Sequence, residues 1–453
     1  MKRYLLLISP FISFGCFSAN DDAINQLPSD CSNFNELANK PYKILPCFSA
    51  TLGNNRTNQS AIRDAYRQFH ALNWPTVDGK VGLADFTLDY TSMPDTLPVW
   101  QSWPTIQEIE SNLHNAWSET HTVVPESCRV LAAKSPASVK QVTNLKSPLV
   151  LTQFRNPQDD IISDRNGNIT FYSVHVNKPA FDYIQSIRNS PIERFEFPTG
   201  SEYENMQRGA VFVKAAWRKI DNSEFDQYHK AYAYIVQPNE NGVDECTASV
   251  VGLSAMHITS KNNPKNINPS EQVSTTNKWS WATYIQENSV PKFSRNASNG
   301  LTLTEKDLIN ANGNEWAYFS LSIDDVDKLC KNNDFTSATC PINQPVCSHP
   351  ADGCKPTELV ALPVVQDQQN LSTYNNETKQ RLNTSVWSKY EIINNQWSDS
   401  GIPSPTELAN PILEPFEKPS SSCSSCHSEA NTNIYKDYIF NSGIKADTIK
   451  NMN

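Results

Sequence analysis

Two cysteines and a histidine near the end of the chain form the pattern C-x-x-C-H, with Cys423, Cys426 and His427 at its fixed positions. On a helix, residues three and four apart share one face, so both thiols and the imidazole would meet the same flat macrocycle. This pattern is typical of c-type haem attachment, in which each sulfur forms a thioether and the histidine is the proximal iron ligand. The sequence therefore predicts one covalent haem c.

Two other kinds of site use the same cysteine spacing. A redox-active disulfide should open a helix after a strand in a βαβ unit, and a zinc site needs a second pair of ligands. Neither context surrounds residue 423, so haem attachment is the favoured interpretation. Pro419 and the serines at 420–422 are helix-start signals, which predicts a short helical attachment segment.

The chain begins with two basic residues and an apolar run over 4–14. A basic start followed by an apolar run too short to cross a bilayer is typical of a secretory signal peptide, which we assign to 1–19. Lipid attachment at Cys16 is an alternative. Since c-type haem is attached outside the cytoplasm, export agrees with the haem prediction and makes the chain periplasmic or secreted.

Charge limits the expected partners. Removal of 1–19 takes away Lys2 and Arg3, so the formal net charge falls from −10 to −12. A negative chain without a basic block argues against nucleic acid and anionic membranes. No later apolar run is long enough to predict a transmembrane span in the mature chain. The expected partner is a redox protein or a small-molecule electron donor or acceptor.

Eight cysteines lie outside Cys16 and the C-x-x-C-H pattern, and an even number in an exported chain favours disulfides, whose pairing the sequence leaves open. The dense group between 330 and 354 predicts local bridges, with a metal site at Cys347 and His349 as the alternative. The eight are Cys31, Cys47, Cys128, Cys246, Cys330, Cys340, Cys347 and Cys354.

Hydrophobic periodicity predicts an α+β fold. Apolar residues at three- and four-residue steps predict helices from Asn58 to before Pro75, over 105–118 and after Thr378. Alternation predicts strands between 150 and 290, and their connections are too short for crossover helices, which favours a mainly antiparallel sheet with flanking helices and long loops. The predicted strands are 169–176, 209–219, 228–237, 246–259 and 279–285, with a short helix at 180–187.

These predictions divide the chain into a signal peptide (1–19), an α+β body (20–410) and a haem-attachment segment (411–453). Only 26 residues follow His427, which is too few to build a separate small cytochrome domain. We therefore expect the body to cover the haem and to supply any group opposite His427.

Met256 and His257 are adjacent on a predicted strand, so alternation sends them to opposite faces and one of them faces inward in either register. His257 is the first candidate for the distal iron ligand. Met256, Met452 and His70 are further candidates, and an open sixth position is the alternative. Alternatively, His257 is a buried residue of the sheet that makes ordinary hydrogen bonds and does not bind iron.

Two further pairs of residues have a structural and a functional interpretation. Trp217 and Arg218 could line the haem pocket, with the guanidinium binding a propionate, but a core tryptophan beside a surface ion pair is simpler. Trp281 and Tyr284 are likewise interpreted as core residues rather than as an electron relay.

Five segments follow one another along the chain: FHALNWP at 69–75, KAAWR at 214–218, VGL at 251–253 leading to His257, WSWATY at 279–284 and SCSSCHSEA at 422–430. Over about residues 60–435 this set resembles exported bacterial proteins called cytochrome c family proteins. The resemblance implies haem c on Cys423 and Cys426 with His427 as iron ligand, and it implies no particular reaction.

The sequence supports one leading function and two alternatives. The leading hypothesis is a periplasmic mono-haem c-type cytochrome that transfers single electrons. The first alternative is a peroxidase-like, haem-dependent oxidoreductase, in which His257 is an acid–base group beside an open distal site. The second is a haem-bearing redox sensor whose oxidation state alters partner binding.

Overall fold

The computed structural model describes residues 51–52, 58–85, 87–88, 96–110, 116–117, 124–133, 148–152, 161–187, 196–199, 209–238, 243–261, 263–264, 279–295, 300–310, 315–331, 334–335, 340–343, 357–361, 368–399, 402–414 and 422–428. The predicted signal peptide and Cys16 lie outside these residues. Its helices are Asn58–Leu72 (α1), Ile106–Glu110 (α2), Arg129–Ala133 (α3), Lys178–Ile187 (α4), Ile323–Leu329 (α5), Gln368–Arg381 (α6) and Cys423–Ser428 (α7).

The β-strands are Thr51–Leu52 (β1), Leu149–Thr152 (β2), Phe171–Val176 (β3), Val211–Lys219 (β4), Lys230–Pro238 (β5), Asp244–Lys261 (β6), Asn263–Pro264 (β7), Trp279–Gln286 (β8), Ser294–Arg295 (β9), Leu301–Thr302 (β10), Tyr390–Asp399 (β11) and Ile402–Ser404 (β12). Eight of them form one sheet in the order β12-β11-β8-β6-β4-β3, with β5 paired to β6 and β2 paired to β5. The long strand β6 holds the sheet together, because its first half pairs with β5 and its second half with β4 and β8.

The sheet is mixed, which corrects the prediction of a mainly antiparallel sheet. Strand β2 runs parallel to β5, while the other pairings described within this sheet are antiparallel. The prediction considered only connections between consecutive strands. Strand β3, helix α4, strand β4 and a 3-10 turn at Asn222–Glu224 lie between β2 and β5 along the chain, and that length allows the crossover that parallel pairing requires. Helices and strands in one fold remain compatible with the α+β class.

Most predicted elements in the first three quarters of the chain are confirmed: α1, α4, β3, β4, β5, β6 and β8. The long helix predicted after Thr378 is wrong. Helix α6 ends at Arg381, a 3-10 turn follows at Val386–Lys389, and 390–399 form strand β11. Both faces of this strand are largely buried, so it lacks the alternation that identifies a strand, and its apolar residues fall by chance at helical spacing.

Two disulfides lie within the described residues. Cys330–Cys340 is a local bridge within the predicted cysteine-dense stretch, and Cys128–Cys246 joins a 3-10 turn to β6. The remaining four cysteines and His349 lie outside the described residues. In the part of the chain that the structure describes, every helix is too short or too polar to cross a bilayer.

The pairing register of the strands shows which residues lie on each face of the sheet. Lys214, His257 and Thr283 are aligned partners on β4, β6 and β8, so their side chains share one face. Met256 takes the opposite direction and joins the apolar core beneath α1. The predicted alternation of Met256 and His257 is therefore confirmed.

Three histidines are buried in the core on the α1 side of the sheet: His70, His175 and His229. Burial lowers the pKa of His70 and of His229 to about 3, with the charges of Arg381 and Lys230 adding to the effect. Burial also lowers the pKa of His175 to about 4, although its hydrogen bond to the Trp103 carbonyl opposes the shift. These side chains are neutral in the folded protein at pH 5.

The unfolded chain binds protons on these histidines at higher pH than the folded chain does, so the free energy of unfolding should fall on acidification. Between pH 7.5 and 5 we expect a loss of about 2 kcal/mol per histidine, measured by urea unfolding. His229→Gln keeps a donor for the Gln101 side chain, which His229 contacts at 2.7 Å, but removes one titrating group. It should reduce the pH dependence by about one third; an unchanged dependence would contradict this assignment.

Candidate functional site

The C-x-x-C-H residues lie on helix α7, where Cys423, Cys426 and His427 share one face. Ser422 caps this helix: its hydroxyl oxygen accepts a hydrogen bond from the Ser425 N–H at 3.1 Å, and its carbonyl accepts one from the Cys426 N–H at 3.0 Å. The predicted helix start is therefore located at Ser422, while Pro419 lies outside the described residues. The spacing and the cap together fix the relative positions of the three side chains.

A buried glutamine on β11 holds α7 against the sheet. The Gln396 side-chain oxygen accepts hydrogen bonds from the Ser424 N–H at 2.8 Å and from the Ser422 hydroxyl at 3.3 Å. Its amide nitrogen donates to the Pro405 carbonyl at 2.7 Å. A parallel bridge between Leu408 and Ser422 adds backbone contact. Helix α7 is thereby tied both to the sheet and to the segment 402–414 that precedes it.

The helix lies over the sheet face that carries Lys214, His257 and Trp281, which we call the motif face. Cys423 packs against the apolar cluster that contains Trp281, and its thiol donates to the Leu408 carbonyl at 3.6 Å. The ring centroids of His427 and Trp281 are 6.0 Å apart. Both cysteines are partly exposed, and the described disulfides involve neither of them.

Segment 402–414 crosses the motif face and brings Glu414 onto His257. His257 is 6% exposed, and its Nε2–H donates to the Glu414 carboxylate, at 2.8 Å from each oxygen. Lys214 donates to the Leu413 carbonyl at 3.1 Å and lies 3.5 Å from Glu414. Asn410 anchors the segment through the Thr283 hydroxyl at 2.8 Å. A carboxylate, an imidazole and an ammonium group therefore meet at this point on the sheet.

The pKa of Glu414 depends on both histidines of the site. Burial raises this pKa, but the positive charges of His257 and Lys214, the hydrogen bond from His257 and the charge of His427 together lower it to about 2. Glu414 is therefore ionised at neutral pH. The structure thus brings the predicted proximal ligand, His427, and the predicted distal candidate, His257, into the field of one carboxylate.

The other candidates for the distal ligand lie elsewhere. Met256 faces the α1 side of the sheet, and His70 lies on α1, beside Phe69 on that same side. Met452 lies outside the described residues. Of the ligand candidates that the structure describes, His257 is the one it places on the motif face.

Trp217 and Arg218 have partners within the chain. The Trp217 indole N–H donates to the Ser173 hydroxyl at 2.9 Å. Arg218 is 2% exposed and pairs with Asp164 at 3.3 Å and with Glu224. The core tryptophan is confirmed, but the ion pair is buried rather than at the surface. The arginine thus binds two carboxylates of this chain.

Sequence reasoning missed Gln396, Glu414 and the role of Lys214. Gln396 was placed in a predicted helix, and Glu414 stands between prolines without any local pattern. Their importance comes from contacts with residues far away along the chain, such as the pair of His257 and Glu414. A search for local sequence motifs cannot detect such contacts.

The residues around α7 fit a haem. Two thiols and an imidazole share one helical face, as covalent attachment and axial ligation require. In addition, Trp281 Nε1 and His257 Nδ1 are buried on the motif face and have no hydrogen-bond partner among the described residues. An unsatisfied buried polar group costs about 1–3 kcal/mol, and such atoms also lie on the α1 side of the sheet, among them His229 Nδ1. Within the described residues, no cluster of three or more His, Cys, Asp or Glu side chains could hold a bare metal ion.

Comparison with known proteins gives no match: no family model, no curated protein and no solved structure is similar enough to this chain to assign it.

Replacing Gln396 with Leu should loosen α7. The Ser424 N–H would lose its acceptor, at a cost of about 1–3 kcal/mol, so amide hydrogen exchange in 422–428 should accelerate about tenfold or more. Gln286→Leu is the matched control, because Gln286 is also a buried glutamine of this sheet but bonds to Gln227 and Asn288 instead. Equal exchange in 422–428 for both variants would show that Gln396 does not anchor the helix.

Proposed function

We propose that this chain is a periplasmic or secreted mono-haem c-type cytochrome, with haem attached to Cys423 and Cys426, His427 as proximal iron ligand, and single-electron transfer as its function. One observation carries the proposal. The C-x-x-C-H residues lie on a capped helix that a buried glutamine holds against the sheet, so that both thiols and the imidazole face one region. When bound, the haem iron supplies a one-electron redox centre.

The residues of the chain have separate roles in this proposal. Cys423 and Cys426 bind the macrocycle covalently, and His427 binds and orients the iron. The apolar cluster around Cys423 excludes water from one side and lowers the local dielectric, which tunes the reduction potential. The electron passes to a redox protein or to a small-molecule donor or acceptor.

The distal ligand in this proposal is His257. In metal sites a ligating histidine commonly donates its second N–H to a carboxylate, which fixes its tautomer. The contact between His257 and Glu414 has this arrangement, because Glu414 accepts from Nε2 and Nδ1 has no partner among the described residues. In the neutral tautomer, Nδ1 then carries the available lone pair.

The same contact supports a second candidate function, a haem-dependent oxidoreductase of peroxidase type. A histidine held by an ionised carboxylate is also the arrangement of a general acid–base group. In that case the sixth position on the iron is open, and His257 exchanges protons with a bound substrate instead of ligating.

Carbon monoxide separates these functions. For a six-coordinate electron carrier we expect a low-spin spectrum that carbon monoxide leaves unchanged in the reduced protein, and a potentiometric titration that fits one electron. Prompt formation of a carbon monoxide adduct by the unmodified protein would favour the open site and contradict the electron-transfer proposal.

Replacing His257 with Ala tests the distal ligand. If His257 ligates, the variant should convert low-spin to high-spin iron and should bind carbon monoxide, because the sixth position is vacated. Met256→Leu is the control, since Met256 is the neighbouring residue on the opposite face. A low-spin spectrum in His257→Ala that matches the unmodified protein would remove His257 from the coordination sphere.

A further inference from the structure

The disulfide between Cys128 and Cys246 joins two parts of the chain that have few other links. Cys128 ends a 3-10 turn that continues into α3, and Cys246 lies near the start of β6. The hydrogen bonds and the ion pair that the structure describes for 124–133 all lie within that segment, such as the pair of Arg129 and Glu126 at 2.6 Å. None of them reaches the sheet.

Segment 124–133 is too short to hold its own shape. Its 3-10 turn has three residues and α3 has five, and helices of this length are unstable alone in water. A small apolar cluster lies between the segment and the sheet. The cluster consists of buried Cys128, Tyr232, Tyr234 and Val236, with partly buried Val124, Leu131, Cys246 and Ala248 packed against them. The disulfide and this cluster therefore keep the segment in place.

The segment covers the outer face of β5 and leaves its inner face alone. Side chains of this strand alternate between the small cluster and the main core. Those in the small cluster are Tyr232, Tyr234 and Val236, and those in the main core are Ala231, Ala233 and Ile235. Release of the segment would therefore uncover the outer face without opening the core or breaking the pairing of β5 with β6.

The two disulfides in the described part of the chain differ in accessibility. Cys330 and Cys340 are 1% and 0% exposed and lie inside an apolar cluster. Cys128 is equally buried, but Cys246 is partly exposed and lies between two exposed residues of β6. Thiol–disulfide exchange requires a thiolate to reach one of the two sulfurs, so its rate depends on access. A dissolved dithiol should therefore react first at Cys246.

We propose that the Cys128–Cys246 bond is a redox-controlled clasp, which a dithiol reductant opens to release segment 124–133 and uncover the outer face of β5. A thiolate of the dithiol attacks the Cys246 sulfur and forms a mixed disulfide, while the Cys128 sulfur leaves with the electron pair. The second thiolate of the dithiol then closes its own disulfide and releases Cys246. Two electrons and the two protons of the dithiol thus pass to the two cysteines.

The sheet holds one half of the clasp in position for closing. Cys246 is aligned with Val236 of β5, and the later part of β6 pairs with β4 and β8. Cys246 therefore keeps its place when the bond opens, and re-oxidation should restore the same pair. The clasp does not rest on the proposed function, because no step in it involves haem.

Alkylation and peptide mapping test the clasp in the unmodified protein, with dithiothreitol as the dithiol. We expect iodoacetamide to label Cys128 and Cys246 about tenfold faster or more than Cys330 and Cys340, which are the matched control pair. In the partly reduced protein, amide hydrogen exchange in 124–133 should accelerate about tenfold or more, while exchange in β4 stays unchanged. Removal of the dithiol and addition of oxidised glutathione should reverse both effects.

Two double variants complete the test. Cys128→Ser/Cys246→Ser should show the exchange pattern of the reduced protein without any dithiol, and Cys330→Ser/Cys340→Ser should keep 124–133 protected. Equal labelling of the two disulfides, unchanged exchange in 124–133, or acceleration in β4 as well would each overturn the inference. The last result would show that the bond supports the whole fold. Should Cys128→Ser/Cys246→Ser fail to fold, the unmodified protein decides, because it folds before its bond is reduced.

Discussion

The side-chain amide of Gln396 couples three parts of the molecule that are distant in sequence. It lies in strand β11 of the central sheet, accepts hydrogen bonds from Ser422 and Ser424 at the start of α7, and donates to Pro405. A helix of six residues has too few hydrogen bonds to be stable alone in water. Its geometry, and therefore the direction in which the thiols of Cys423 and Cys426 point, depends on this buried contact.

The central sheet separates two chemically different regions. On the α1 side, buried histidines are neutral, because burial lowers their pKa. On the motif face, the Glu414 carboxylate, which remains ionised, is in contact with His257 and Lys214 and within the field of His427. Charge is thus concentrated on one face, and that face carries α7. This face therefore has an apolar cluster beside a group of charges.

Local patterns in the sequence were sufficient for much of the fold. The Asn166-Gly167 turn places Gly167 at a φ of +78°, and the alternation around it identifies β3, because both depend on neighbouring residues alone. The parallel pairing of β2 with β5 could not be predicted in this way, since it joins strands that are not consecutive. For the same reason, C-x-x-C-H identified the candidate attachment residues, whereas Gln396 and Glu414 became visible only through long-range contacts. The resemblance to cytochrome c family proteins stays a prediction.

The central claim is that the chain carries haem through two thioether bonds, and the mass of the intact chain tests it most directly. The protein is expressed in a host with c-type haem-attachment machinery, extracted with acid under denaturing conditions and weighed by mass spectrometry. We predict a chain heavier by one haem, and an apoprotein mass for the double variant Cys423→Ala/Cys426→Ala. An apoprotein mass for the unmodified chain after the same extraction would contradict the account.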